Sequence, residues 1–419
     1  DSCVFNLLQI LLKGRSLVSE KRKDTIIVAA HNDGIGAVTT MFRMMKGLVD
    51  ALQKAEVEDQ FRFVFINNGG WGPGYKFLLK EWKQIFPNQA DTDKPAEVEK
   101  LLKKTEAVWF HPEEESYWLK FEKTRRGALD APATRKRLAN IWGALENWNA
   151  CLGYIDRERV ALTIEMGVPF LSAWSAKPSQ VVRASPIPSV ALTDMFWSQI
   201  LHGSLNGAGE FVGLTEDIVY WLAEKERMVD EVFLFPLLSP RNYQDYLSRI
   251  AVKYFVLPGL FGARPEPDQV KLCTKYLRGK RKGDLQLGEC KIIALSAGKT
   301  PVWQDIYGRI ADALEAAHAD DKHKDIALIY PNPTGGGMVI RTPNSPDPQK
   351  IQNPSSDRLA LFGACDLGVT RGGVTTSEFV ASRLPCAVVQ EPNHSLSLAQ
   401  QQAASEAGLC FTASLSAFD

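Results

Sequence analysis

The residues best suited to chemistry form a glycine turn between a predicted strand and a predicted helix. The chain reads Thr370-Arg371-Gly372-Gly373, and a helix is predicted to begin near Thr375. Backbone N–H groups at a helix N-terminus have no intrahelical partner and attract anions, and a glycine without a Cβ lets phosphate oxygens approach closely. The turn therefore predicts a diphosphate site. Its candidate residues are Arg371, Gly372, Gly373, Thr375, Thr376 and Ser377.

Glu378 lies about one turn into the same helix. A carboxylate at that position can accept hydrogen bonds from ribose hydroxyls, and ligands of open α/β sheets bind at the carboxyl ends of strands, where this turn lies. An ordinary glycine turn, with Glu378 completing a capping box, is the alternative interpretation.

The segment from Asp366 to Gly408 resembles the donor half of inverting GT-B glycosyltransferases, particularly the N-acetylglucosaminyltransferase that forms lipid II of peptidoglycan. The matching pattern is T-R-G-G-x-T-T-x-E, followed by A-x-x-x-P and a Gln-rich segment that opens a helix. The resemblance implies that a nucleoside-diphosphate sugar is the co-substrate, with UDP as the expected nucleotide, and that no metal ion or cofactor is needed. By the same resemblance, Gly372, Gly373 and residues 375–377 would hold the diphosphate and Glu378 the ribose.

Two further donor-side segments follow from the resemblance. The loop SAGKT matches the first turn of the donor domain, so Ser296, Gly298 and Lys299 are expected to face the phosphates. Relatives carry an Asp-Gln or Gln-Gln pair before the last donor helix. This chain can be aligned with that pair in two registers. One register aligns Leu398 and Ala399 with the pair, and the other aligns Gln400 and Gln401. The donor sugar therefore stays unassigned.

A second glycine turn follows the first predicted strand and reads His31-Asn32-Asp33-Gly34-Ile35-Gly36. GT-B enzymes line their interdomain cleft with such a turn, which places Gly34 and Gly36 on the acceptor side. Inverting transfer needs a base for the acceptor hydroxyl, and His31 and Asp33 are the candidates. The usual histidine of the family follows the second glycine, where this chain has Ala37, and Asp33 could instead cap the helix. A dinucleotide fingerprint is disfavoured because its third glycine is missing.

Aromatic and acidic residues complete the predicted acceptor side. Trp71 lies in a glycine-rich turn, where its ring could stack on a sugar, or could simply pack. Asp194, Phe196 and Trp197 follow a predicted strand in a segment that resembles the acceptor-facing loop of this fold. A buried aromatic pair is the alternative for the last two.

Strands and helices alternate along most of the chain, which predicts an α/β protein with parallel sheets. We predict the GT-B fold, with two tandem Rossmann-like doubly wound domains that face each other across a cleft. Residues 1–258 would form the acceptor-side domain, 259–289 a surface linker rich in Pro, Gly and basic residues, and 290–419 the nucleotide-sugar domain. Residues 159–174 are predicted as a helix followed by a strand, and Asp91-Thr92-Asp93 as a surface loop.

Composition excludes several classes of protein. Forty-nine Lys and Arg balance 49 Asp and Glu in 419 residues, so no global charge favours nucleic acid or an anionic membrane. The seven cysteines have no CxxC spacing, which indicates a reducing compartment without a zinc site. We expect no transmembrane segment and a cytoplasmic location, or another reducing compartment if a targeting segment was removed. The oligomeric state stays open. His318 and His323 are predicted to be solvated.

The sequence predicts a metal-independent, inverting glycosyltransferase with an unidentified acceptor. Two other functions are also compatible with these residues. One is a nucleotide-sugar 2-epimerase of the same fold, and the other is a GT-B scaffold or regulatory subunit that has lost catalysis, which the departures at Ala37 and at Leu398-Ala399 would favour.

Overall fold

The computed structural model describes the strands of two sheets and several of the helices that connect them. Its described residues are 2–12, 24–31, 35–68, 75–111, 148–166, 170–175, 187–193, 220, 223–234, 248, 252–256, 264–296, 309, 312, 325–332, 337–342, 345–355, 357–370, 374–390 and 410–414.

The chain divides into two compact units. The first comprises Asp1–Glu122 and Asp130–Pro258, and the second comprises Lys123–Leu129 and Gly259–Asp419. Each unit is built on its own largely parallel sheet, so the predicted pair of Rossmann-like α/β domains in tandem is confirmed.

The first unit contains an eight-stranded sheet in the order β3-β4-β2-β1-β5-β6-β7-β8, and every neighbouring pair is parallel. Its strands are β1 (Asp24–His31), β2 (Phe61–Asn68), β3 (Gln89–Thr92), β4 (Ala107–Phe110), β5 (Val160–Met166), β6 (Ser189–Thr193), β7 (Glu231–Leu234) and β8 (Lys253–Val256). Its helices are α1 (Ser2–Leu12), α2 (Ile35–Lys54), α3 (Tyr75–Ile85), α4 (Pro95–Leu102) and α5 (Phe170–Ser175).

Two inner strands of this sheet, β1 and β4, are buried on both faces. Residues 26–30 of β1 and 107–110 of β4 are buried along their whole length, as expected for parallel strands covered by helices on both sides. An aromatic cluster packs beside them, in which Phe65 lies 4.6 Å from Trp109 and 5.4 Å from Trp82 between ring centroids. Phe42 of α2 and Trp82 of α3 both pack on Phe65, so burial of these rings holds the two helices against the sheet.

The second unit contains a seven-stranded sheet in the order β12-β11-β10-β9-β13-β14-β15. Its strands are β9 (Lys291–Leu295), β10 (Ile326–Pro331), β11 (Met338–Thr342), β12 (Ser345–Ile351), β13 (Leu367–Thr370), β14 (Cys386–Gln390) and β15 (Cys410–Ser414). Its helices are α6 (Pro267–Arg278), α7 (Arg358–Gly363) and α8 (Val374–Ala381). Five strands are parallel, and β11 and β12 add an antiparallel hairpin at one edge.

The segment predicted as a surface linker contains a packed helix. α6 buries Cys273 and Leu277 in the core of the second unit, together with Ile292 and Leu361. Polar residues alternate with these apolar ones at helical spacing, and the basic cluster that suggested a linker begins only at the last residue of the helix. The prediction for 259–289 was therefore wrong over Pro267–Arg278.

Two other local predictions were also wrong. Residues 160–166 form the strand β5 and 170–175 the helix α5, which is the reverse of the predicted order. Parallel pairing with β1 and β6 on both sides overrides the helical preference of this segment. Asp91 and Thr92 lie in the edge strand β3 and not in a surface loop, and Thr92 is buried.

Two cysteines in the core of the second unit have pKa values above the usual range of a thiol. Burial raises the pKa of Cys273 to about 11, and burial with the neighbouring charge of Asp366 raises the pKa of Cys365 to about 12. The folded state therefore holds these protons where the unfolded chain would release them, and the resulting stability is complete below the unfolded thiol pKa of about 8.5. It is lost as the pH rises from there toward the folded values.

We expect the free energy of unfolding in urea to fall as the pH rises above about 8.5, with a shallower decrease in a Cys273→Ala/Cys365→Ala variant. At mildly alkaline pH, iodoacetamide should label these thiols in the unfolded chain and not in the folded protein. Equal labelling rates in both states would contradict the raised pKa values.

Candidate nucleotide-binding site

The predicted donor site lies where the strand order of the second sheet reverses. β9 pairs with β10 on one side and with β13 on the other, and the chain leaves β13 toward β14. The carboxyl ends of β9 and β13 are therefore neighbours at a topological switch point, where open α/β sheets bind their ligands. The backbone N–H of Ser296, directly after β9, donates to the carbonyl of Val369 in β13 at 2.9 Å. This hydrogen bond joins the two predicted phosphate segments.

The helix α8 begins four residues after the end of β13 and carries four of the donor-site candidates. Thr376, Ser377 and Glu378 are buried, and Thr375 is half-buried. Polar side chains rarely occupy three consecutive buried positions in the first turns of a helix unless they have partners or bind a ligand. The assignment of these residues to a donor site remains a prediction.

Glu378 makes one ion pair and leaves one oxygen open. Its Oε1 accepts a hydrogen bond from Nη2 of Arg358 at the start of α7, and its side chain is only 3% exposed. The other oxygen, Oε2, is buried without a hydrogen-bond partner, as is Oγ1 of Thr376. An unsatisfied buried polar group costs about 1–3 kcal/mol, and more when it is charged. These two oxygens therefore have unused hydrogen-bonding capacity at the predicted ribose and phosphate positions.

Packing holds α8 firmly against the sheet and against α7. The ring of Phe379 is fully buried, packs edge-on against Phe362 with centroids 4.9 Å apart, and lies over Gly368 of β13. Ser382 Oγ donates to the carbonyl of Leu359 at 3.0 Å. The carboxylate of Glu378 is thus presented from a rigid element, which is what a binding site requires.

The structure brings together the donor candidates that it describes and leaves the others as predictions. Ser296 and residues 375–378 flank the ends of β9 and β13. The donor candidates outside the described residues are Gly298, Lys299, Arg371, Gly372, Gly373, Gln400 and Gln401.

The acceptor-side candidates belong to the first unit. His31 is the last residue of β1, and Gly36 lies in the first turn of α2, so both occupy the carboxyl edge of the first sheet, beside its own switch point between β1 and β5. Residues predicted to act from the neighbouring loops lie outside the described residues, namely Asp33, Gly34, Trp71, Asp194, Phe196 and Trp197.

Asn67 is a polar residue at this edge that sequence reasoning did not select. It is fully buried at the carboxyl end of β2, in register with Ala30 of β1, and neither its amide nitrogen nor its amide oxygen has a hydrogen-bond partner. The sequence does contain a signal for Asn67, because this polar residue directly follows the mostly apolar run FRFVFI.

We expect Asn67→Val to raise the free energy of unfolding by about 1 kcal/mol, because it removes two unsatisfied polar atoms and places a β-branched residue in a strand. The measurement is the urea midpoint. Asn67→Asp is the matched control, and it should lower the midpoint because it buries a charge. A lower midpoint for Asn67→Val would show that the amide stabilises the fold.

In the described part of the chain, no group of three or more His, Cys, Asp or Glu side chains is arranged to hold a metal ion. Among the helices that are described, none is long and apolar enough to cross a membrane.

Comparison with known proteins gives structural similarity without sequence similarity. No protein-family model matches the chain, and no curated protein sequence matches it. Three of the similar solved structures illustrate the range of activities.

The first is the calicheamicin glycosyltransferase CalG4, with 12% identity, coverage of 95% of this chain and 87% of that chain, and a TM-score of 0.49. The second is an α,α-trehalose-phosphate synthase from Burkholderia vietnamiensis, with 12% identity, coverage of 92% and 90%, and a TM-score of 0.46. The third is the UDP-GlcNAc 2-epimerase from Methanocaldococcus jannaschii, with 11% identity, coverage of 93% and 89%, and a TM-score of 0.44. Because these identities and TM-scores are low, we derive the function from the site itself.

Proposed function

We propose that the protein is a metal-independent, inverting glycosyltransferase that takes its sugar from a nucleoside-diphosphate sugar, with UDP as the expected nucleotide. The observation that carries the proposal is Glu378, which is buried on α8 at the switch point of the second sheet with one carboxylate oxygen unpartnered. A ribose hydroxyl donates hydrogen bonds and would satisfy that oxygen. The notable feature is the combination of this acceptor with a helix N-terminus one turn away.

The diphosphate would lie at the N-terminus of α8. Free N–H groups there carry partial positive charge, and the hydroxyl of Thr376 has no other hydrogen-bond partner. The same groups would stabilise the negative charge that develops on the departing nucleoside diphosphate. In this proposal, protein dipoles perform the task that a divalent cation performs in other transferases.

The acceptor would bind to the first unit, and a base on that unit would remove its proton. His31 ends β1 beside the switch point of the first sheet, and Asp33 follows two residues later. As the bond between the anomeric carbon and the diphosphate breaks, the acceptor oxygen attacks from the opposite face and its proton passes to the base. The configuration of the sugar is thereby inverted.

Calorimetry and thermal shift with UDP, GDP, dTDP and their sugars provide the first test, because a ligand that binds the folded state raises the apparent stability by mass action. We expect one nucleotide diphosphate to bind without added divalent cation and with the same affinity in EDTA. If none binds, or if binding requires the cation, the proposal is wrong.

The reaction itself is tested by following the preferred nucleotide sugar by NMR, with and without a panel of aryl β-glycosides as acceptors. Formation of a new glycosidic bond of inverted configuration supports transfer. An epimerised nucleotide sugar in the absence of any acceptor would identify an epimerase instead. Tight binding with no turnover under either condition would identify a regulatory or scaffold protein.

A further inference from the structure

We infer that Arg358 is the positioning residue of the donor site, and that it acts on the nucleotide only through Glu378. This inference rests on the proposed function, since it concerns how the ribose acceptor is held. Arg358 lies 20 positions before Glu378 in the chain, outside the glycine-turn pattern, and nothing in the sequence pairs the two residues.

The position of Arg358 in its own helix is unfavourable unless it has an acidic partner. It is the first residue of α7, whose N-cap is Asp357, with Oδ1 accepting from the N–H of Leu359 at 2.8 Å. A cation in the first turn is opposed by the helix dipole. The ion pair with Glu378 supplies the compensating negative charge. The arginine therefore positions a side chain of α8 and does not stabilise the helix that carries it.

Two contacts hold the partly exposed guanidinium, and a third contact ties its helix to α8. Its Nη2 donates to Oε1 of Glu378, its Cζ lies 5.7 Å from the ring centroid of Phe362, and the backbone that carries it is tied to α8 by the hydrogen bond from Ser382 to Leu359. An arginine held in this way fixes the rotamer of its carboxylate partner, because its planar donors accept only a narrow range of geometries.

The two carboxylate oxygens of Glu378 therefore have separate tasks. Oε1 is occupied by the protein, and Oε2 is buried with no partner of its own. If the carboxylate could rotate freely, either oxygen could take up hydrogen bonds elsewhere and the site would lose its preorganised acceptor. With Oε1 held by Arg358, only Oε2 is available to a ribose hydroxyl. Because the side chain is already fixed in the folded protein, nucleotide binding does not have to reduce its conformational entropy.

The test compares four variants by calorimetry with UDP and with uridine, or with the corresponding pair for the base that the wild type selects. The variants are Arg358→Met, Arg358→Lys, Glu378→Gln and the double variant Arg358→Met/Glu378→Gln. We expect Arg358→Met to weaken both ligands by the same factor of about ten, because uridine carries the ribose without the phosphates. Arg358→Lys should restore part of the affinity. The double variant should bind no more weakly than Glu378→Gln alone, since Arg358 acts through the carboxylate.

The matched control is Arg278→Met, which also removes an arginine–carboxylate pair from the second unit. Arg278 Nη2 donates to Asp366 Oδ2 at 2.6 Å, and Asp366 lies before the amino end of β13, roughly 13 Å of strand from the donor turn. We expect this variant to lower the urea midpoint and to leave nucleotide affinity unchanged.

Each other outcome overturns the inference in a recognisable way. Unchanged affinity in Arg358→Met would mean that the pair is only structural. Additive losses in the double variant, or a loss for UDP that uridine does not share, would mean that Arg358 touches the nucleotide directly. A wild-type protein that binds no nucleotide would overturn the proposed function as well, whereas normal wild-type binding with an insensitive Arg358→Met would overturn the inference alone.

Discussion

Glu378→Gln is expected to weaken binding of the preferred nucleoside diphosphate by about 10- to 100-fold while the protein stays folded. The substitution preserves the shape of the side chain and removes the charge that makes Oε2 a strong acceptor, and a hydrogen bond to a charged group contributes about 1.5–3 kcal/mol. Calorimetry gives the affinity, and the urea midpoint reports the fold. If the folded variant retained its affinity, Glu378 would not contact the ribose, and the main support for the site would be lost.

A control in the turn directly after α8 makes that result specific. Arg383 is exposed and lies five positions after Glu378. Arg383→Gln should leave nucleotide affinity within twofold of the wild type, because surface substitutions away from a site have small effects. Equal losses in both variants would indicate a general disturbance of α8.

Gly368→Ala is expected to destabilise the second unit by about 2–3 kcal/mol and to weaken nucleotide binding at the same time. A Cβ at this position would lie 2.5 Å from Cδ2 and 2.6 Å from Cε2 of Phe379, closer than real Cβ contacts come. The strand cannot move aside because Gly368 is paired on both sides, with Ala294 of β9 and Cys386 of β14. The ring, and with it α8, must shift away from the sheet and carry Glu378 out of position.

A double-mutant cycle shows whether this clash is the cause. Phe379→Leu shortens the side chain over Gly368, so Gly368→Ala should cost clearly less in the Phe379→Leu background than in the wild type when both are measured by urea unfolding. The same cost in both backgrounds would contradict the clash. It would point instead to the lost backbone freedom of the glycine.

Much of the secondary structure could be predicted from local pattern, and the errors share a cause. Apolar runs such as TIIVAA and FRFVFI, followed by glycine turns and amphipathic helices, became β1 with α2 and β2 with α3. The segment 160–175 was predicted in the wrong order because its apolar residues fit either period, and only pairing with β1 and β6 selects the strand. Similarly, β11 and β12 lie in a stretch rich in Pro, Asn and Gly, where the hairpin is supported by pairing with β10.

By itself, the sequence determined that the second unit carries a glycine turn between strand and helix, with hydroxyl residues and a glutamate in the first turns of that helix. These features depend on residues within about one or two turns of each other, which interact whatever the rest of the chain does. Only the tertiary structure decided that β9 lies beside β13, that Glu378 pairs with Arg358, and that α6 belongs to a core. These contacts join residues far apart in the chain, and pairing across a sheet and burial of the Glu378 carboxylate exist only once the whole unit has packed. Asn67 illustrates the same limit, because its residue type is visible in the sequence and its lack of a hydrogen-bond partner is a property of the fold.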